Sequence, residues 1–91
     1  MLTRIAAVVA DRKINPVEGS YTCRLLAEGR EKILKKVGEE AFEVALASVS
    51  EDRGQVIYET ADLVYHMLVL LGYEDIELDE IADELDRRYR S

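Results

Sequence analysis

The segment from Gln55 to Leu71 constrains this chain most, because it is apolar on nearly every side yet carries Glu59, Asp62 and His66 in one narrow arc. At ~100° per residue, Gln55, Glu59, Asp62 and His66 cluster within about 60°. Ile57, Ala61, Val64 and Leu68 lie opposite, and Val56, Leu63, Met67 and Leu70 flank the polar stripe. A helix apolar almost all round is not a surface helix. This one must be central, with its acidic stripe in a cleft or against another helix, partly out of water.

The rest of the chain supplies helices to surround it. No segment sustains strict alternation of apolar and polar residues, whereas several repeat apolar positions at three- and four-residue intervals, so the chain reads as all-α. A first helix is predicted from Leu2 to Lys13, broken by Asn15-Pro16 and Gly19. Ser20 caps a short helix through Ala27, which Gly29 ends. A long helix from Glu31 to Val49 follows, then a turn at Ser50-Glu51-Asp52 and Gly54, then the Gln55 to Leu71 helix closed by Gly72. The last helix, Leu78 to Tyr89, has Leu78, Ile81, Ala82, Leu85 and Tyr89 on one side. Its acidic residues come early and Arg87, Arg88 and Arg90 late, as the helix dipole favours. The expectation is one domain over residues 1–91, a bundle of about five helices with two long central ones. A chain this short buries only around 60–70% of its unfolded surface when alone, so completion by homodimerisation is expected.

Composition narrows the function classes. A net charge of -7 speaks against a general electrostatic grip on nucleic acid or anionic membrane. Cys23 is the only cysteine, so there is no intrachain disulfide; it reads as a small buried residue on a helix rather than a nucleophile. The N-terminal stretch has Arg4 within it and no clear processing site, and the apolar run Met67 to Leu71 is far below the ~20 residues that span a bilayer. A soluble, cytoplasmic protein is expected.

The first long helix carries a matching stripe. With Glu39 as origin, Glu43, Lys36, Lys32 and Glu40 share an arc of about 100°, against Leu34, Val37, Ala41, Val44, Ala45 and Ser48 on the apolar back. Two acidic stripes facing each other are costly: unit charges ~6 Å apart at an effective dielectric near 20 repel by about 3 kcal/mol. A divalent cation removes that repulsion, and Mg²⁺ takes a few carboxylates and completes its shell with water and phosphate oxygens. The pattern therefore predicts a phosphate ligand bridged by metal. The competing view is that these are solvated glutamates paired with Lys32, Lys35 and Lys36; it fits Glu39-Glu40-Glu43 better than it fits Glu59 and Asp62. Gly38, within the helix, marks either a close approach by a neighbour or a tolerated imperfection. His66 is read as a hydrogen-bonding group in the cleft rather than a metal ligand, since Mg²⁺ prefers oxygen. The chain has no Gly-rich phosphate loop, zinc spacing, serine nucleophile elbow or Glu-x-x-His pair.

These residues resemble a known family. Gly19-Ser20-Tyr21-Thr22, Leu25-Leu26 with Gly29, Lys36-Val37-Gly38-Glu39-Glu40-Ala41 with Glu43, and Glu59-Thr60-Ala61-Asp62-Leu63-Val64-Tyr65-His66 are similar to the phosphoribosyl-ATP pyrophosphohydrolases of histidine biosynthesis. That family lies within the all-α nucleotide pyrophosphohydrolase superfamily. The likeness covers roughly Leu2 to Arg88; the acidic pairs mark the superfamily, and the Ser-Tyr-Thr and Tyr-His segments the family.

The resemblance implies Mg²⁺-dependent hydrolysis of the α–β phosphoanhydride of phosphoribosyl-ATP, with Glu40, Glu43, Glu59 and Asp62 as metal ligands. Glu39 would position or deprotonate the attacking water. Arg24, Lys32, Lys35 and Lys36 are candidate phosphate contacts, Lys36 the best placed, and Ser20, Tyr21 and Thr22 would offer hydroxyls and N–H groups; ordinary solvation and capping is the alternative for them. His66 is grouped with the substrate side of the cleft. The resemblance also implies a homodimer with the site near the subunit interface, in a form not fused to the cyclohydrolase of the next step. The chain departs from the family at Ala47-Ser48-Val49, where many relatives have a lysine, and at Phe42, a position more often small or aliphatic. Two other functions compete: a house-cleaning nucleotide triphosphate pyrophosphohydrolase with the same acidic ligands, and a non-catalytic helical dimerisation module.

Overall fold

In the computed structural model, which describes residues 1–90, five α-helices follow one another: α1 (Leu2–Ile14), α2 (Tyr21–Glu28), α3 (Arg30–Val49), α4 (Arg53–Tyr73) and α5 (Leu78–Tyr89). Local chemistry sets most of their ends. Ser20 Oγ accepts from the Cys23 N–H at 3.1 Å and starts α2. Gly29, at φ +94°, ends α2 and admits α3 directly after it. Asp52 Oδ1 accepts from the Gln55 N–H at 3.1 Å, so α4 begins at Arg53, two residues before the predicted start. At α5, the Glu80 carboxylate accepts from the Glu77 N–H at 2.8 Å.

Gly72 does not close α4. The helix runs on to Tyr73, and the left-handed residue that turns the chain is Asp75, at φ 59°. Two contacts explain the extension. Lys13 Nζ donates to the carbonyls of Gly72 (3.2 Å) and Tyr73 (3.0 Å) and pairs with Asp75 (2.7 Å), satisfying the end of the helix from outside. Gly72 itself lies against Val9, so closely that a Cβ there would overlap the valine side chain. The missing side chain lets α1 approach α4. Gly38 has no such neighbour among the described residues.

The long helices α3 and α4, joined by three residues, run antiparallel and form the largest interface; α1 packs on α4, and α2 lies against α3. The core is Val9, Leu25, Ile33 and Val69, surrounded by Ile5, Leu26, Tyr65, Leu70 and Tyr73. The apolar back of α3 is only partly covered, with Val37 and Val44 half-buried. The face of α3 turned inward carries Ile33, Glu40 and Ala47, while Leu34 of the supposed apolar back is 47% exposed and Ala41 and Ala45 are also exposed. Helical periodicity distinguishes two sides but does not say which one a neighbour covers. Cys23 is half-buried rather than buried, its Sγ accepting from the Val17 N–H at 3.2 Å.

No residue of α5 is buried. The radius of gyration is accordingly 14.4 Å, against about 12 Å for a compact domain of this length. No helix among the described residues is long and apolar enough to cross a membrane.

Candidate active site

Glu40 of α3 and Asp62 of α4 meet across the antiparallel pair. Glu40 is only 7% exposed, an expensive position for a carboxylate. Burial, and then the hydrogen bond and negative charge of Asp62, push its pKa upward; Lys36, with Nζ 3.4 Å from Glu40 Oε1, pulls the other way. Burial disfavours the Lys36 ammonium, but Glu40, Tyr21 and Glu39 outweigh it, and the pKa of Lys36 is raised. Glu40 thus has the Lys36 ammonium on one side and the Asp62 carboxyl of the facing helix on the other. The two carboxyls gain from a further positive charge, whether a proton or a metal.

His66, 2% exposed, lies at the inner end of this cluster. Its Nδ1 is 2.8 Å from the Asp62 carbonyl oxygen, which can only accept, so Nδ1 carries a proton. Its Nε2 is 3.0 Å from the Tyr21 hydroxyl, and in the neutral ring Nε2 accepts while Tyr21 donates. Glu40, Asp62 and His66 offer ligand atoms within 4.8 Å of one another. Both imidazole nitrogens are already engaged, however, so the donors left for an ion are carboxylate oxygens. Hard oxygen donors suit a hard divalent cation rather than a softer metal.

The other predicted ligands stand beside this cluster. Glu43 is exposed; Glu59 is half-buried, its Oε1 accepting from Gln55 Nε2 at 2.8 Å. Three residues after Glu40 and three before Asp62, they lie ~4.5 Å nearer the α3–α4 turn. Glu39 is exposed.

The hydroxyls expected to face a substrate already have partners within the protein. Ser20 caps α2, Tyr21 bonds His66, and Thr22 Oγ1 bonds the Tyr65 hydroxyl. Burial is the first cause raising the Tyr21 pKa, opposed by Lys36. The Arg24 guanidinium lies over the Tyr21 ring, 5.1 Å from its centroid, while Lys32 and Lys35 are exposed. Tyr65 belongs to this cluster although its sequence position gave it no role. It stacks on Tyr21 (centroids 6.3 Å apart) and meets the His66 ring edge to face at 5.0 Å. The available signal was a phenol beside His66 in an otherwise apolar helix.

The family model described as phosphoribosyl-ATP pyrophosphohydrolase matches residues 2–89. A "Phosphoribosyl-ATP pyrophosphatase" of Geotalea daltonii is 56% identical over 89 residues, covering 98% of this chain and 84% of the relative. A protein of the same name from Methanococcoides burtonii is 52% identical over 90 residues, 97% of this chain and 91% of its own length. The "Histidine biosynthesis bifunctional protein HisIE" of Pyrococcus furiosus is 56% identical over 88 residues; there the match covers 97% of this chain but 41% of the relative.

Proposed function

The chain belongs to the phosphoribosyl-ATP pyrophosphohydrolase family, and from that premise we propose that it hydrolyses phosphoribosyl-ATP to phosphoribosyl-AMP and pyrophosphate in histidine biosynthesis. The observation that carries the site is the buried Glu40 carboxyl set against Asp62 on the facing helix. In the reaction a water oxygen bonds to phosphorus, the α–β anhydride bond breaks, and pyrophosphate leaves. The proton released by water goes to a carboxylate, and Glu39, exposed at the edge of the cluster, is the residue we assign to receive it.

Glu40, Glu43, Glu59 and Asp62 would together hold Mg²⁺, and the raised pKa of Glu40 is the sign of fit: the site favours added positive charge. Magnesium bound there would offset the polyphosphate charge and make a bound water more acidic. The protein's own part is placement. Lys36 and Arg24 draw the phosphates in, and the rigid α3–α4 pair holds the acidic groups in line with them.

We infer further that two copies pair. The chain exposes 6713 Å², whereas a compact monomer of 10.3 kDa exposes about 5,400 Å². That excess is comparable with the roughly 800 Å² each partner contributes to a standard interface. It is also apolar in the right places: Phe42, Val49, Ile57 and Tyr58 near the α3–α4 turn, and Leu85 and Tyr89 on α5, are all more than half exposed. A 720 Å³ groove between α1, the end of α4 and the start of α5, lined by Ala6, Ala10, Leu68 and Leu71, offers a seat for a partner helix. A cytoplasmic location accompanies this reading and suits the free thiol of Cys23.

The test is parallel hydrolysis of phosphoribosyl-ATP and a panel of nucleoside triphosphates with Mg²⁺, repeated in EDTA. Faster turnover of common triphosphates would reassign the protein to nucleotide house-cleaning, and no turnover of any substrate would leave a non-catalytic helical module. Light scattering tests the dimer.

A further inference from the structure

His66 is nearly inaccessible to water in a helix that is otherwise apolar there, and both ring nitrogens are engaged: Nε2 by the Tyr21 hydroxyl, and Nδ1 by the Asp62 carbonyl, with the Asp62 carboxylate 3.5 Å away. A buried imidazole is costly unless both nitrogens are satisfied, and here the two partners lie on different elements. On one side is the backbone of Asp62, a proposed metal ligand on α4. On the other is the hydroxyl of Tyr21, the first residue of α2.

Tyr21 is held from several directions. His66 fixes its hydroxyl, Tyr65 stacks against its ring, and the guanidinium of Arg24 lies on the ring as a cation–π contact. A second bond, Thr22 to Tyr65, ties the same turn of α2 to α4. Arg24 is exposed and, among the described residues, forms none of the ion pairs that occupy Arg12, Arg30, Arg87, Arg88 and Arg90. Its charge remains available to an anion.

We propose that His66 and Tyr21 form a positioning relay through which the carboxylate helix α4 sets where Arg24 meets a phosphate of the substrate. Tyr21 is then a positioning residue. The relay rests on the proposed function, since it presumes a polyphosphate substrate at the Glu40–Asp62 cluster.

The experiment is a double-mutant cycle on the full chain, with phosphoribosyl-ATP and saturating Mg²⁺. Tyr21→Phe keeps the ring but removes the hydroxyl, and should raise KM about fivefold or more with a smaller change in kcat. Arg24→Ala should raise KM likewise, and the double variant should be no worse than Arg24→Ala alone. At His66, glutamine can still offer an acceptor near the Nε2 position, whereas asparagine reaches only as far as Nδ1. His66→Gln should therefore retain much of the wild-type KM, and His66→Asn should behave like Tyr21→Phe. A merely structural role would lower melting temperature without making the Tyr21 effect depend on Arg24. Additive effects, or an unchanged KM in Tyr21→Phe, overturn the relay even if the His66 variants fail to fold. If the wild type does not cleave phosphoribosyl-ATP, the proposed function falls and the relay with it; cleavage with additive variants overturns the relay alone.

Discussion

Glu40 on α3 and Asp62 on α4 bring carboxylate oxygens within 4.8 Å of each other, although the residues stand 22 positions apart in the chain. Burial and the Asp62 charge raise the Glu40 pKa above its usual 4.5. The folded protein therefore holds the Glu40 proton more tightly than the unfolded chain does. The stability this provides is complete below pH 4.5 and disappears as pH climbs through the raised value. In EDTA, the melting temperature of the wild type should fall across that window relative to Glu40→Gln, whose side chain does not titrate. Glu84, lowered by its bonds to Arg87 and Arg88, acts in the opposite sense, so the difference between the two proteins is the quantity to measure. Parallel curves would rule out a raised Glu40 pKa in the folded protein.

Magnesium should stabilise the fold by mass action. At a free concentration a hundred times its Kd, a single bound ion contributes about 2.7 kcal/mol. Thermal melts with and without MgCl₂ should show a clear rise in Tm for the wild type and little for Asp62→Asn. An equal rise in both proteins would place the ion elsewhere.

Glu59→Gln should lower kcat by about 100-fold or more while leaving the melting temperature in EDTA unchanged or higher, because the change removes one negative charge from the acidic cluster. Steady-state kinetics and circular dichroism on the same preparation check both halves. Retained turnover would exclude Glu59 from the site.

Two glycines in helices should respond in opposite ways. Gly72→Ala drives a methyl group into Val9 and should cost about 1–3 kcal/mol in denaturant unfolding, partly recovered by Val9→Ala. Gly38→Ala meets nothing within 4 Å and should gain up to about 1 kcal/mol from helix propensity. A destabilised Gly38→Ala variant would indicate that a second copy approaches this position.

Much of the architecture was legible along the chain because its determinants are local. Ser20 caps α2 and Gly29 ends it, and α5 runs from Leu78 to Tyr89 as its pattern requires. The acidic stripes were legible for the same reason, since spacing of three and four residues places Glu40 and Asp62 on definite faces. Helix ends supported from a distance were less legible. Gly72 has the look of a stop signal, but the carbonyls that would need that stop are satisfied by Lys13, 59 positions earlier.

Read alone, the chain already establishes that it is helical and where all five helices end to within two residues, and it puts the acidic residues of α3 and α4 on definite faces. All of that follows from hydrogen bonds and periodicities spanning only a few positions. It took the packing of helix on helix to settle that Ile33, Glu40 and Ala47 face inward while Leu34 looks out, that His66 uses both nitrogens, and that the hydroxyls of Tyr21 and Thr22 are bound to α4. A helix has several faces able to pack, and a hydroxyl several possible partners. Which of them is chosen depends on surfaces that meet only after the chain has folded.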